Sequence, residues 1–202
     1  MTLIIIIVTF IFSYLAFQKS ELMYKYQFNA YQIVHRNEWQ RLITHAFLHA
    51  NWPHLLVNML VLFSFGSALE QYFGNSFGSK ALFYYALLYF GSIPISSLYS
   101  LIQNKDNHHY NAVGASGATS AVIFSCIFFA PMQKLYFFGI IPIPGILFGV
   151  GYLIYSYRMS KQNNDNIGHD AHFWGAVYGF IFPLLINPKL IFQFINQINF
   201  WS

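Results

Sequence analysis

Apolar and polar stretches alternate along the whole chain, and the apolar stretches are long. Six of them can be delimited, at about residues 2–17, 54–72, 81–102, 114–131, 135–157 and 171–186. A helix that crosses the hydrocarbon core of a bilayer contains roughly 17–25 apolar residues. The pattern therefore predicts an all-α, polytopic membrane protein in which six transmembrane helices form one bundle.

Prolines and polar residues indicate where these helices begin, bend and end. Pro53 suits the first turn of the second helix, where its missing N–H group is not needed. Residues 70–75 predict a turn at the end of that helix, and Pro94 predicts a kink in the third. Residues 142–145 contain two prolines and a glycine, so the fifth segment is expected to be irregular before a helix starts near residue 145.

The connections are polar or amphipathic. Residues 18–40 alternate aromatic and polar side chains, which is typical of a loop half-embedded in the membrane interface. Polar loops are expected at residues 103–111 and 158–170. The chain is predicted to form a single membrane domain, with a core at about residues 39–187 and an amphipathic, interfacial tail at residues 188–202.

Composition agrees with this class of protein. Of 202 residues, 56% are hydrophobic and only 8% are charged, too few charges to cover a soluble domain. The net charge of +4 includes no run of lysine or arginine, so a nucleic-acid partner is not supported. Cys126 is the single cysteine, and no internal disulfide can form. Residues 1–17 lack basic residues and a clear cleavage site, and we expect an uncleaved membrane helix there rather than a signal peptide.

Six crossings place the loops after the first, third and fifth helices on one side of the membrane. These loops lead into a histidine cluster (His45, His49 and His54), into Ser116 and into His172. The three polar groups are therefore predicted to converge at one membrane face. The same loops carry most of the lysine and arginine residues, so the positive-inside rule would place them in the cytoplasm.

Ser116 and His172 are candidates for nucleophilic catalysis. A serine hydroxyl is a weak nucleophile and needs a base within hydrogen-bond reach, and a neutral imidazole suits an apolar site. Small residues surround both, including Gly114 and Gly117 beside the serine and Gly175 after the histidine. Such residues let helices approach closely in a bilayer. The alternative is that the small residues serve only in packing and that Ser116 caps a helix.

The histidine cluster allows two interpretations. His45 and His49, like His54 and Asn58, are four residues apart and can share a helix face. Such pairs are common zinc ligands, but the His-Glu-x-x-His motif of zinc proteases is missing. The other interpretation is that His54 and Asn58 donate hydrogen bonds to an oxyanion, while His45 and His49 order the loop or a water molecule.

Other polar residues are given structural roles. Glu70 is interpreted as structural, and Trp39 and Arg41 as an interfacial anchor. Several serines have no basic partner nearby in the sequence and are interpreted as packing residues: Ser92, Ser96, Ser97, Ser120 and Ser125.

Taken together, these motifs resemble the rhomboid family of intramembrane serine proteases. Residues 114–117 (Gly-Ala-Ser-Gly) resemble its Gly-x-Ser-Gly motif, and residues 171–175 (Ala-His-Phe-Trp-Gly) its Ala-His-x-x-Gly motif. The spacing of His49, His54 and Asn58 is similar to the family's His/Asn motif, and residues 39–41 to its Trp-Arg element. Glu70 and Gly74 match an acidic residue and a glycine after the second helix.

The resemblance implies a six-helix fold and a Ser/His dyad without a carboxylate. Ser116 would be the nucleophile and His172 the general base, and no metal or organic cofactor is implied. His54 and Asn58, with the backbone N–H of Ser116, would form the oxyanion hole. His45 and His49 would support them, and the fifth helix and the loop before it would act as a gate.

The sequence departs from the family pattern at two points. Some bacterial members carry an aromatic residue four positions after the serine that packs on the histidine, whereas this chain has Ser120. Phe173 or Trp174 could supply that ring instead. The other departure is the charge bias, because bacterial members open the active site away from the cytoplasm.

We therefore predict a serine endopeptidase that cuts membrane-protein substrates where their transmembrane segments are helix-destabilised. The expected location is a bacterial plasma membrane, with the active site facing away from the cytoplasm. A catalytically inactive relative that binds membrane clients is the first alternative. A metal-dependent membrane enzyme or transporter that uses the histidine cluster is the second.

Overall fold

The computed structural model describes residues 1–137, 140–162 and 167–198, and these are mostly helical. The helices in chain order are α1 (Thr2–Gln18), α2 (Ser20–Tyr26), α3 (Ala30–Arg36), α4 (Arg41–Thr44), α5 (Trp52–Phe77), α6 (Ala81–Asn104), α7 (Ser116–Phe129), α8 (Gly145–Gln162), α9 (His169–Ile186) and α10 (Leu190–Ile198). Strands β1 (Lys134–Phe137) and β2 (Ile141–Pro144) form an antiparallel hairpin before α8. The predominance of helix agrees with the predicted class, and the hairpin was not predicted.

Helix α5 is longer than predicted, and the turn expected at residues 70–75 is wrong. The helix continues to Phe77 and ends at Gly78, whose φ of 55° lies in the left-handed region. Glu70 stays inside the helix, which glutamate favours, and its carboxylate accepts hydrogen bonds from the backbone N–H of Thr2 at 2.6 Å and from the Thr2 hydroxyl at 2.9 Å. A polar side chain that finds a tertiary partner does not have to end a helix.

The other helix boundaries follow the predictions more closely. Helix α8 starts at Gly145 as expected, but it runs to Gln162 and so takes up the first part of the predicted polar loop. Residues 163–166 of that loop, and residues 199–202 of the tail, lie outside the described residues. Pro94 lies inside α6, and α9 begins at His169, two residues before the predicted start.

Length and hydropathy identify one candidate membrane span among the described residues, from Trp52 to Asn104. A short 3-10 turn at Gly78–Lys80 divides it into α5 and α6. The two helices pack against each other, as the rings of Phe73 and Tyr85 show at a centroid distance of 6.4 Å. Helices α1 and α7 are apolar but shorter than a typical span.

Helix α7 lies at the centre of the bundle. Every residue from Gly117 to Phe129 is buried, against α5, α6, α8 and α9. A helix that is apolar all round is expected in such a position. The consequence for the site is that Ser116, the first residue of α7, is held at the start of the most enclosed helix of the fold.

Small residues bring α7 and α9 into backbone contact, as the sequence predicted. A Cβ atom on Gly175 would collide with the carbonyl oxygen of Gly117, and one on Gly179 with that of Ala121. A Cβ atom on Gly117 would collide with the hydroxyl of Ser96 on α6. The glycines are therefore required for the spacing of three helices around the start of α7.

The loops that carry the candidate residues converge, as predicted, whereas their placement at one membrane face stays a prediction. Phe28 in the first loop and Ala112 before α7 exchange two backbone hydrogen bonds, of 2.9 and 3.1 Å. Ser100 near the end of α6 donates a hydrogen bond to the carboxylate of Asp170 in the first turn of α9. These contacts hold the entries to α5, α7 and α9 at one end of the bundle.

Arg41 organises the first loop, and its interpretation as an interfacial anchor is wrong. Its side chain is only 3% exposed. The guanidinium donates to the carboxylate of Glu38 at 2.6 Å and to the carbonyl oxygens of Tyr24 and Gln27 at 2.7 and 2.9 Å. Trp39 is 54% exposed and remains available to an interface.

Candidate active site

Ser116 is the first residue of α7 and is half-buried. The capping position belongs to Ala115, and no side chain caps this helix end. The alternative that Ser116 serves only as a helix cap is therefore wrong. The first backbone N–H groups of a helix have no acceptor within it, and they present partial positive charge at that end. The hydroxyl of Ser116 thus lies at a helix end that can stabilise an anion.

His172 lies in the first turn of α9, beside the start of α7. An atom at the Cβ position of Gly117 would be 3.3 Å from the carbonyl oxygen of Ala171. Gly117 follows Ser116 in the chain and Ala171 precedes His172, so this approach makes the serine and the histidine neighbours across two helices. His172 is half-buried, within a site that is enclosed but still accessible.

Within the part of the chain that the structure describes, two rings contact the imidazole of His172. Tyr152 on α8 lies at a centroid distance of 6.2 Å with an interplanar angle of 29°, in a stacked arrangement. His169 lies at 5.7 Å with its ring edge-on. The ring that the sequence analysis sought at Phe173 or Trp174 therefore comes from another helix, since Phe173 packs on Tyr157 instead.

Tyr152 was missed by the sequence analysis. Its hydroxyl is 2.7 Å from the hydroxyl of Ser120, which the sequence analysis treated as a packing residue. No spacing in the sequence relates a tyrosine in the fifth apolar segment to a serine in the fourth. Only the contact between α7 and α8 reveals the pair.

His54 lies in the first turn of α5, against Gly114. An atom at the Cβ position of Gly114 would be 2.7 Å from Cε1 and 2.9 Å from Nε2 of His54. The φ of Gly114 is 129°, a conformation that side chains rarely adopt. Glycine is required here because of this φ angle and because a Cβ atom would collide with the His54 ring. Without a side chain at position 114, that ring can approach the peptide that leads into Ser116.

Asn58 is buried one helical turn after His54. Its amide nitrogen donates to the carbonyl oxygen of His54 at 2.9 Å, and its amide oxygen accepts from the hydroxyl of Thr119 at 3.1 Å. Thr119 also lies 3.1 Å from the carbonyl oxygen of Ser116. These bonds fix the orientation of the Asn58 amide and connect α5 to the first turn of α7. Thr119 is the second residue of the site that sequence analysis missed.

His45 connects the first loop to α6. One ring nitrogen is 2.9 Å from the carbonyl oxygen of Arg41 and must donate to it, and the other is 3.3 Å from the hydroxyl of Ser97. The backbone oxygen of His45 accepts from the N–H of Gly114 at 3.0 Å. Both nitrogens and the backbone therefore serve to hold the loop before α7.

His49 connects α1 to the residue before Ser116. Its Nε2 accepts from the backbone N–H of Ala115 at 3.5 Å, and its Nδ1 lies 2.9 Å from the hydroxyl of Ser13. The Ser13 hydroxyl in turn donates to the carbonyl oxygen of Phe47 at 2.8 Å. These roles are consistent with one another when His49 is neutral and carries its proton on Nδ1.

No group of three or more histidine, cysteine, aspartate or glutamate side chains is arranged to hold a metal ion within residues 1–137, 140–162 and 167–198. The ring nitrogens of His45 and His49 instead take part in the hydrogen bonds just described. These contacts support the interpretation that His45 and His49 order the loop.

Burial lowers the pKa of His45 to about 4, although its bond to the Arg41 carbonyl acts in the opposite direction. Burial and the neighbouring His54 lower the pKa of His49 to about 3. The ordinary value is 6.5, so the unfolded chain takes up protons first as the pH falls. The contribution of these residues to stability is therefore complete above about pH 6.5 and is lost as the pH falls towards 4.

We accordingly expect the unfolding temperature in detergent to fall as the pH is lowered from 7 to 5. In this range each histidine lowers the free energy of unfolding by up to about 1.4 kcal/mol for every unit by which the pH falls. His49→Gln should reduce this slope, whereas His109→Gln, at an exposed position, should not. An equal slope in wild type and His49→Gln, measured by scanning fluorimetry, would contradict the assignment.

Comparison with known proteins identifies similar chains of one family. The profile of the Rhomboid domain matches residues 36–189. The chain is 30% identical to RHOMBOID-like protein 12, mitochondrial, of Arabidopsis thaliana, over 67% of this chain and 43% of that protein. It is 33% identical to YdcA of Bacillus subtilis, over 77% of this chain and 71% of that protein. It is 30% identical to rhomboid protease GluP of Bacillus subtilis, over 73% of this chain and 26% of that protein.

The matched region thus includes both helices of the candidate dyad, although the chain spans less than half the length of the mitochondrial relative and of GluP. The family match covers most of the chain, from the first loop to the end of α9. The chain therefore belongs to the rhomboid family of membrane proteins.

Proposed function

We propose that this chain is an intramembrane serine endopeptidase in which Ser116 is the nucleophile and His172 the general base. The observation that carries the proposal is the backbone contact between Gly117 and the start of α9, at Ala171 and Gly175. This close approach of α7 and α9 brings the residue after Ser116 against the residue before His172, which supports their pairing as a dyad.

The chemistry follows from the residues around Ser116. The serine oxygen attacks the scissile carbonyl while His172 accepts its proton. The resulting oxyanion receives hydrogen bonds from the backbone N–H of Ser116 and from the side chains of His54 and Asn58. His172 then gives its proton to the leaving amine, and the acyl group stays on Ser116. A water molecule, deprotonated by His172, releases the acyl group as a carboxylate and restores the serine.

The proposed membrane arrangement has six crossings, formed by α1 and α5 to α9. Helix α7 has 14 residues, which corresponds to about 21 Å, less than the roughly 30 Å of a hydrocarbon core. With its last turn near one membrane surface, its first residue would lie below the other, in reach of water from the polar loops. Residues 1–202 would form a single domain, with a core at about 39–187 that includes α5 to α9 and with the tail at 188–202 in the interface.

We further propose that the site faces away from the cytoplasm in a bacterial plasma membrane, and that the substrates are other membrane proteins. A transmembrane helix hides its peptide bonds in its own hydrogen bonds. Cleavage therefore requires residues that break the helix and expose the backbone to Ser116. The bilayer is the second partner, and no nucleic acid is involved.

The oxyanion contacts lead to a quantitative expectation. Asn58→Ala should lower kcat by about 10²- to 10³-fold, because a buried donor to the transition state is lost. Gln71→Ala, at an exposed position of the same helix, should leave kcat unchanged. Initial rates on a fluorogenic membrane substrate would measure this effect, and an Asn58→Ala enzyme with the wild-type kcat would remove Asn58 from the oxyanion site.

The function itself is tested with purified protein in lipid vesicles. Two substrates are compared, one with a Gly-Pro pair within its transmembrane segment and one with leucine at both positions. We expect mass spectrometry to find cleavage near the Gly-Pro pair by the wild type, in chelator as well, and none by Ser116→Ala. Folded wild-type protein that binds but does not cut either substrate would support the client-binding alternative, and loss of cleavage in chelator would support the metal-dependent one.

A further inference from the structure

The residues that hold the general base in place come from three helices. His172 is on α9, and the ring stacked on it belongs to Tyr152 on α8. The hydroxyl of Tyr152 is hydrogen-bonded to Ser120 on α7, at 2.7 Å. Ser120 follows Ser116 by four residues, so the two serines lie on the same face of α7. The helix that carries the nucleophile is thus connected to the base through the side chains of Ser120 and Tyr152.

The geometry of the stack suits a role in orientation. A centroid distance of 6.2 Å and an angle of 29° lie within the range of offset-stacked ring pairs. Two rotatable bonds separate the imidazole from the backbone, and a ring on one side of it limits rotation about both. His169 contacts the same imidazole edge-on from the same helix. Tyr152, in contrast, contacts the imidazole from α8.

The hydroxyl gives Tyr152 a fixed position of its own. A phenol in an apolar bundle needs a hydrogen-bond partner, because leaving it without one costs free energy. Ser120 provides that partner and is itself only 2% exposed. The bond therefore fixes the position of the Tyr152 ring relative to α7. Because this ring stacks on His172, it also restricts the orientation of the imidazole.

From this geometry we infer that Tyr152 is a positioning residue for His172 and that Ser120 fixes Tyr152. This inference rests on the proposed protease function. It assigns to α8 a part in orienting the base, and it explains why an aromatic residue at position 120 is not required in this chain.

Enzyme kinetics of the full-length protein in detergent test the inference. Tyr152→Leu should lower kcat roughly 10- to 100-fold, as expected for a misplaced catalytic group, and should leave KM within about 2-fold. Tyr152→Phe keeps the ring and should recover most of that loss. Ile154→Leu, at an exposed position of the same helix, is the control and should retain the wild-type kcat.

The hydrogen bond is tested by a double-mutant cycle. Ser120→Ala and Tyr152→Phe remove the same bond, so the double variant should have the same kcat as either single variant. These two substitutions preserve the packing, and the cycle can be read even where Tyr152→Leu does not fold. If the effects of the two substitutions on kcat multiply fully, the proposed link is contradicted. A Tyr152→Phe enzyme with a kcat as low as that of Tyr152→Leu would also contradict it, and so would variants in which only KM changes.

The outcome also separates this inference from the proposed function. Wild-type cleavage that depends on Ser116, together with wild-type kcat in Tyr152→Leu, would overturn only the role of Tyr152. Absence of Ser116-dependent cleavage in folded wild-type protein would overturn both.

Discussion

Ser116→Ala is expected to lower kcat/KM for a membrane substrate by about 10⁴- to 10⁶-fold while the fold is retained. The substitution removes one half-buried oxygen atom and leaves the start of α7 intact, because Ala115 rather than Ser116 occupies the cap. Cleavage rates and unfolding temperatures of both proteins measure the two parts of this expectation.

Ser125→Ala is the matched control, since Ser125 lies on the same helix and is fully buried. It should keep the wild-type rate. His172→Ala should lose as much activity as Ser116→Ala, and the double variant should be no worse than either, because the two residues act as a unit. A Ser116→Ala protein with more than a few per cent of wild-type activity would remove Ser116 from the nucleophile role.

Gly175→Ala is expected to destabilise the protein and to inactivate what still folds. The added Cβ atom would meet the carbonyl oxygen of Gly117, a backbone atom that cannot move without moving α7. Overpacking of this kind costs about 1–3 kcal/mol, and more where no relaxation is possible. Separation of α7 from α9 would also displace Ser116 from His172, and a shift of about 1 Å can lower the rate by about 10²-fold.

Gly151→Ala is the control for this experiment. No atom lies within 4 Å of the position where its Cβ would be added. It should be neutral or slightly stabilising, because alanine favours helix over glycine by up to about 1 kcal/mol. Unfolding temperature and cleavage rate should fall together in Gly175→Ala. A Gly175→Ala protein as stable and active as Gly151→Ala would show that the close approach of α7 and α9 is not needed.

Local patterns in the sequence were sufficient for the features that depend on local physics. Small residues spaced along two segments predicted the close contact of α7 and α9, which the positions of Gly117 and Gly175 confirm. The parity of six crossings predicted that the loops before α5, α7 and α9 meet. The contact of Phe28 with Ala112 joins the first two, and the hydrogen bond of Ser100 to Asp170 joins the end of α6 to the start of α9. Neither inference required knowledge of a specific tertiary partner.

The errors share a physical cause, which is that a partner distant in the chain changed the role of a residue. The sequence predicts a turn at Glu70, but this residue lies within α5, where its carboxylate accepts a hydrogen bond from Thr2. Arg41 is buried because carbonyl oxygens of the first loop surround its guanidinium. Periodicity and composition contain no information about such pairs, so both residues were interpreted from their own chemistry alone.

In the candidate site, too, local motifs could be predicted and contacts between distant residues could not. The serine, the histidine and the glycines were found from short motifs, whereas Tyr152 and Thr119 were not. The contacts of these two residues, with Ser120 and with Asn58, cross between helices at positions that no repeat or spacing relates. A sequence can therefore predict which groups could react, but the residues that orient them are known only once the helices have been packed.

The central claim is that Ser116 is an activated nucleophile, and covalent labelling by a fluorophosphonate probe tests it most directly. Wild type, Ser116→Ala, His172→Ala and Ser125→Ala are treated in detergent, and the adduct is located by mass spectrometry. We expect wild type and Ser125→Ala to carry one adduct on Ser116, and the other two variants to remain unlabelled. Folded wild-type protein that stays unlabelled, or is labelled at another residue, would contradict the account.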